Sequence, residues 1–162
     1  MEMAISNPMG SHVTLSPTLV GRTVDGAIQS SGGERYATFR ASAAIAKGTA
    51  CAFNVVPVAG TPVSVNLMAV ADSPAIFAGI AVNAAAAGAQ VVLCTDGFVD
   101  VFMNAQTSAF GEFLLAPLTN AGEASRSAVA LAATTISGTV LGTVLAVKTA
   151  GTNLALCYIA RV

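Results

Sequence analysis

From Ala41 onward the chain is built of short runs of Val, Ala, Leu and Phe, each closed off by Gly, Pro, Asp or Thr. Short apolar runs bounded by turn residues read as strands. The pattern predicts strands over Thr49–Val56, Val63–Val70, Ile76–Asn83, Ala89–Thr95, Phe98–Met103, Glu112–Leu118, Arg126–Ala133, Thr139–Val147 and Thr152–Arg161. Turn signals at intervals of roughly 8–13 residues place the chain among all-β barrels and sandwiches. TDGFVD (Thr95–Asp100) reads as a hairpin, with Asp96 in the turn and Asp100 exposed on a strand.

Two stretches share one template. Gly79–Cys94 is GIAVNAAAAGAQVVLC and Gly142–Cys157 is GTVLAVKTAGTNLALC, and both 79 to 142 and 94 to 157 are steps of 63. Identical pairs are Gly79/Gly142, Ala87/Ala150, Gly88/Gly151, Leu93/Leu156 and Cys94/Cys157; the same step pairs Gly48 with Gly111. An internal duplication follows, with units at about 44–103 and 107–162. The second copy places Lys148 where the first has Ala85, and lysine prefers solvent. NAAAAG is therefore a connection between strands and not a buried helix. Gly48, Gly79, Gly88, Gly111, Gly142 and Gly151 are the expected turn glycines. After the turn, Val91 and Leu93 point to one side and Gln90, Val92 and Cys94 to the other. Leu154, Leu156 and Tyr158 alternate in the same way with Ala155, Cys157 and Ile159. Apolar residues on both sides predict strands covered on both faces, by a second sheet or a neighbouring subunit.

Residues 1–40 have a different texture, rich in Gly, Pro, Ser and Thr. They read as an extended N-terminal arm with at most a strand or two, candidates being Val13–Leu15 and Thr18–Val20. SSGGER (Ser30–Arg35) is a turn signal. The β domain is then 41–162.

Composition sharpens this picture. The chain of 162 residues is 54% hydrophobic and 9% charged, against about 25% charged in ordinary soluble domains. So little charge covers a lone copy poorly, and part of the apolar excess is expected against other subunits. The cations Arg22, Arg35, Arg40, Lys47, Arg126, Lys148 and Arg161 are scattered, so no nucleic-acid partner is expected. The uncharged window Pro74–Thr95 holds Pro, Gly, Asn and Gln among its alanines, and no membrane span is expected. The N-terminus lacks the basic and apolar regions of a signal peptide. Cys51, Cys94 and Cys157, odd in number and widely spaced, read as small buried hydrophobes of a protein made in a reducing cytoplasm.

Chemistry is sparse. His12 is the single histidine and lies in the arm. Phosphate-cradling glycine motifs and a G-x-S-x-G elbow do not occur. Most of the eight acids fall at expected turns or in the arm. No catalytic, metal or cofactor site is expected, and the chain reads as a non-enzyme.

AIAKGTACAF (Ala44–Phe53) followed by FAGIAVNAAAAGAQVVLCTDGFVDV (Phe77–Val101) resembles the small capsid decoration, or cement, proteins of tailed bacteriophages. The shared order is a strand entered through a K/A-G turn, a G-I/V-A strand, an Ala-rich turn ending in Gly, a V-x-L strand and a G-x-V-x-V strand. The likeness covers Ala44–Met103, with a weaker echo over Thr107–Val162. It implies a small β-barrel or sandwich (β-tulip-like) and a homotrimer on the outer capsid surface of the virion. There it would bind the major capsid protein and clamp neighbouring subunits against internal DNA pressure. Family members often carry one such unit, whereas this chain carries two and an arm. Arg22, Arg35 and Arg40 are the candidate capsid contacts. The alternative is a head-fibre or surface adhesin module that binds a receptor or glycan, with Phe98, Phe102 and Tyr158 as its few aromatic candidates.

Overall fold

The computed structural model describes residues 28–31, 34–54, 63–70, 72, 74–103, 107–127, 140–146 and 154–160. Among them the fold is all-β, apart from one 3-10 turn at Pro74–Ile76. The strands are β1 (Ile28–Ser31), β2 (Glu34–Ala41), β3 (Ala50–Phe53), β4 (Ser64–Leu67), β5 (Phe77–Ala81), β6 (Gln90–Phe102), β7 (Phe113–Leu115), β8 (Ser125–Ser127), β9 (Val140–Val144) and β10 (Leu154–Ile159).

The alanine-rich stretch connects β5 to β6. Ala85 forms an antiparallel bridge with Ile45, and Gly88 takes a φ of 80°. The expected hairpin at TDG does not form. Ala89–Thr95 and Phe98–Met103 belong to one strand, the 13-residue β6. Its turn-forming residues are absorbed by a bulge, since Arg35 pairs with Asp96 and Tyr36 with Cys94, which leaves Thr95 unmatched. Gly97, at φ 112°, lies against Glu34. A bulge of this kind bends a strand without ending it. At the N-terminal side, β1 and β2 form an antiparallel hairpin with Ser31 opposite Glu34, as the SSGGER signal requires. Among the described residues, β1 and β2 thus lie within the stretch read as the arm and join the sheet. Residues 1–27, including Val13–Leu15 and Thr18–Val20, lie outside the described residues.

The strands form one sheet in the order β1-β2-β4-β3-β5-β6-β10-β9-β7-β8, and an added β2–β6 pairing closes β2, β4, β3, β5 and β6 into a five-stranded ring. A second ring runs from β6 through β10, β9, β7 and β8, and a parallel Met103–Ala124 bridge leads back to the end of β6. Closure removes exposed strand edges. The rings share β6: residues 90–96 pair with β2, and residues 97–102 with β10.

Pairings of the first ring recur in the second at the step of 63. Ala50 opposite Ile80 becomes Phe113 opposite Thr143, and Cys51 opposite Gly79 becomes Leu114 opposite Gly142; a register irregularity follows in both. Phe39 opposite Val91 becomes Phe102 opposite Leu154. The turn bonds repeat as well. Gly48 N–H donates to the Ala81 carbonyl at 2.7 Å, and Gly111 N–H to the Val144 carbonyl at 2.9 Å. The repeat marked by these pairings runs 34–96 and 97–159, about ten residues earlier than the division read from the sequence.

One pairing departs from the repeat. Ile80 faces Cys94, but Thr143 faces Tyr158 where the step of 63 would give Cys157. A one-residue slip turns every side chain to the other face. In the first ring Phe39, Val91 and Leu93 point inward, in a core with Ala37, Cys51, Val65 and Ala81. Their counterparts Phe102, Leu154 and Leu156 are half-buried or exposed. The inward residues of the second ring are instead Val99, Val101, Ala155, Cys157 and Ile159. These join Leu114, Leu141 and Val144 and, from the outer side of the first ring, Ala50, Met68, Ile80 and Cys94. The second core thus belongs to both units and packs them together. Coverage on both faces holds for β6, where Leu93 and Cys94 are both fully buried, and fails for β10.

Candidate interaction surface

The slip leaves an apolar face uncovered among the described residues. Consecutive pairings place Phe113, Thr143, Tyr158 and Phe98 in one row across β7, β9, β10 and β6. Directly opposed residues in such a row project from the same face. The next pairs on that face are Leu156 with Asp100 and Leu154 with Phe102. Phe98 is 53% exposed, Leu154 44%, Leu156 42% and Tyr158 37%. The Phe98 and Tyr158 rings meet edge-on, with centroids 5.1 Å apart. Phe110, in the turn before β7, is 73% exposed. Asp100 is the single acid among the residues that pair β6 with β10, so the face is an apolar band with one negative charge.

The sequence-derived sites distribute as follows. Phe98, Phe102 and Tyr158, the aromatic candidates of the adhesin reading, do come together on this face. Arg35 and Arg40 are exposed on β2. They are five residues apart, about 17 Å along a strand, and do not converge. Gly48, Gly88 and Gly111 sit in turns with positive φ. Gly79 and Gly142 were expected in turns but lie within β5 and β9. Arg22, His12 and Gly151 lie outside the described residues. Leu154, Leu156 and Phe113 were missed as surface residues. Their alternation was visible, but which side faced out depended on the slip.

Several polar groups act as local braces. Glu112 accepts a bond from Ala109 N–H at 2.9 Å and pairs with Arg126 at 2.8 Å, which ties β7 to β8. Asp72 accepts from Ala69 N–H, and Glu123 from the Asn120 side-chain amide. Tyr36 O–H donates to Glu34; burial, then this contact, raise the phenol above its ordinary range. Among the described residues no group of three or more His, Cys, Asp or Glu could hold a metal ion, and no helix is long and apolar enough to cross a membrane.

The three cysteines are free and fully buried. Burial is the leading cause that pushes the thiols of Cys51 and Cys157 up to about 12 and that of Cys94 to about 11. An unfolded thiol ionises near 9.0. Above that pH the unfolded chain gives up protons that the folded chain retains, so stability falls as pH rises from about 9 towards 12. The urea midpoint is expected to be lower at pH 10.5 than at pH 7, and the native thiols to resist Ellman's reagent at pH 8. Stoichiometric labelling within minutes would show that these sites open freely.

No known family profile matches the sequence, and no curated protein does. A solved structure is similar in fold: the head fibre gp8.5 N base of bacteriophage phi29, with a TM-score of 0.52 and 16% identity, over 77% of this chain and 92% of that one.

Proposed function

We propose that this chain is a non-enzymatic structural protein of a phage virion, a homo-oligomeric β body that attaches to the outer surface of the head. The observation that carries the reading is the fold, which 77% of this chain shares with 92% of the base of a phage head fibre. Physical features support it. The chain has 9% charged residues, an uncovered apolar band, and acids spent on bracing turns. Such a surface suits assembly.

Two finer readings divide on what attachment does. As a fibre base, the protein would hold a further element on the head, which the likeness to gp8.5 favours. As a cement protein, it would clamp neighbouring major capsid subunits. The resemblance over Ala44–Met103 favours that role, with Arg35 and Arg40 as candidate contacts and the subunits arranged as a trimer. Co-sedimentation of the purified chain with heads lacking it tests the common part, and saturable binding is expected. A raised temperature of head rupture on binding would select the cement reading; binding with no change in rupture would select the base. Absence of binding, together with specific capture on a glycan array, would replace both with the adhesin.

A further inference from the structure

The two units are alike in sequence and pairing but differ in what covers them. In the first unit the row Ala50, Ile80 and Cys94 is fully buried, in the core shared with the second unit. The corresponding row in the second unit is Phe113, Thr143 and Tyr158, and all three are partly or well exposed.

The turns that open these rows show the same contrast. Gly48 and Gly111 have nearly the same backbone, φ 83° and 85°. Gly48 is buried under the β6–β10 ribbon. Phe102 N–H donates to its carbonyl at 2.7 Å, and a Cβ there would lie 2.6 Å from Leu154 Cδ2. Gly111 is exposed, and a Cβ there would meet nothing within 4 Å. Along the row Phe113 stands for the buried Ala50 and Thr143 for the buried Ile80, and in the turn the exposed Lys47 is replaced by the exposed Phe110. The second unit thus keeps the receiving side of the internal interface, with added apolar groups and nothing seated on it among the described residues.

We infer that the band of Phe98, Phe113, Leu154, Leu156 and Tyr158 is the surface on which a second copy of this chain seats. A second copy takes the place that the other unit takes in the internal interface. Set against a different part of that copy, the band makes a head-to-tail contact, and one that closes gives a ring. The two-fold alternative, band against band, brings Asp100 towards its own copy on an apolar face, where like charges repel. The band supplies the dry centre of an interface whose usual size is about 800 Å² per partner. This deepens the oligomeric part of the proposed function and does not depend on head binding.

The test compares the full chain with Leu156→Lys and Phe98→Glu by light scattering after size exclusion, with Val70→Lys as an exposed control away from the band. Circular dichroism and the urea midpoint report folding. The expected result is an oligomer for the wild type and Val70→Lys, and folded monomers for both band variants. An oligomer that survives both substitutions overturns the inference, as does a wild type that is monomeric at 100 µM. If the wild type is monomeric and Leu156→Lys abolishes co-sedimentation with heads, the band belongs to a head protein and the second copy is excluded. If the band variants are monomeric and still bind heads, the inference stands apart from the attachment reading. Loss of fold in Leu156→Lys is resolved by Leu156→Ser, which is expected to stay folded and to shift the oligomer towards monomer; a folded Leu156→Ser that remains fully oligomeric counts against the inference.

Discussion

Gly142→Ala is expected to destabilise the protein by about 3 kcal/mol or more, read as a lower urea midpoint with an unchanged slope. Gly142 sits in β9 between Leu114 of β7 and Ile159 of β10. A Cβ at this position would fall on the Tyr158 carbonyl oxygen, with Tyr158 C and Ile159 Cα 3.0 Å away. All three are backbone atoms of a paired strand, so no side chain can swing aside. The ladder itself must shift, and forced backbone movement of this kind is among the costliest substitutions. The first unit makes the same close approach, with Gly79 against the Cys94 carbonyl. Gly111→Ala is the matched control. It meets no neighbour and carries only the left-handed backbone penalty, about 1 kcal/mol. If Gly142→Ala costs no more than Gly111→Ala, β9 and β10 do not approach as closely as described.

Ile80→Ala is expected to cost about 3 kcal/mol, within the usual range for a buried Ile or Leu truncated to Ala. Ile80 is fully buried and lies on the outer side of the first ring, in the core that both units share. Both units therefore lose packing at one position, and the transition is expected to remain single. The chain has no Trp and two Tyr. Tyr36 reports the first unit and Tyr158 the second. Tyrosine fluorescence of the Tyr36→Phe and Tyr158→Phe variants is expected to give coincident unfolding curves, with and without Ile80→Ala. Separated curves would show two independent cores. Leu156→Ala, on the exposed band, is expected to change the stability of the monomer, measured at a concentration too low for assembly, by less than about 0.5 kcal/mol.

Most of the strand positions after Ala41 could be read from the chain, because closed rings of short strands keep turn residues at regular intervals; β2 lay in the stretch read as an arm. The duplication was visible over Gly79–Cys94 and Gly142–Cys157, whose opening glycines each lie against the backbone of the next strand. The unit boundary was not. The opening strands are ERYATFRA and GFVDVFM, which share a register but almost no residues, since one lines a ring core and the other turns its corresponding side outward. TDG misled for a local reason. Asp-Gly is a strong hairpin signal, and only the packing of Glu34 on Gly97 shows that a bulge uses it instead. The surface band was half legible. The alternation of Leu154, Leu156 and Tyr158 fixed which residues share a side. The slip of β10 against β9 fixed which side is buried, and pairing register between distant strands leaves no trace in either strand alone. The arginine candidates came from charge without position, and β2 holds two of them apart.

The passage of β6 through both rings has a mechanical consequence. No joint separates the halves, and the midpoint of the shared strand is wedged where Glu34 presses on Gly97. Torque applied to one half is delivered to the other through a continuous backbone rod, with no slack to take up. A body anchored by one half would transmit the tilt of its footing to whatever it holds with the other.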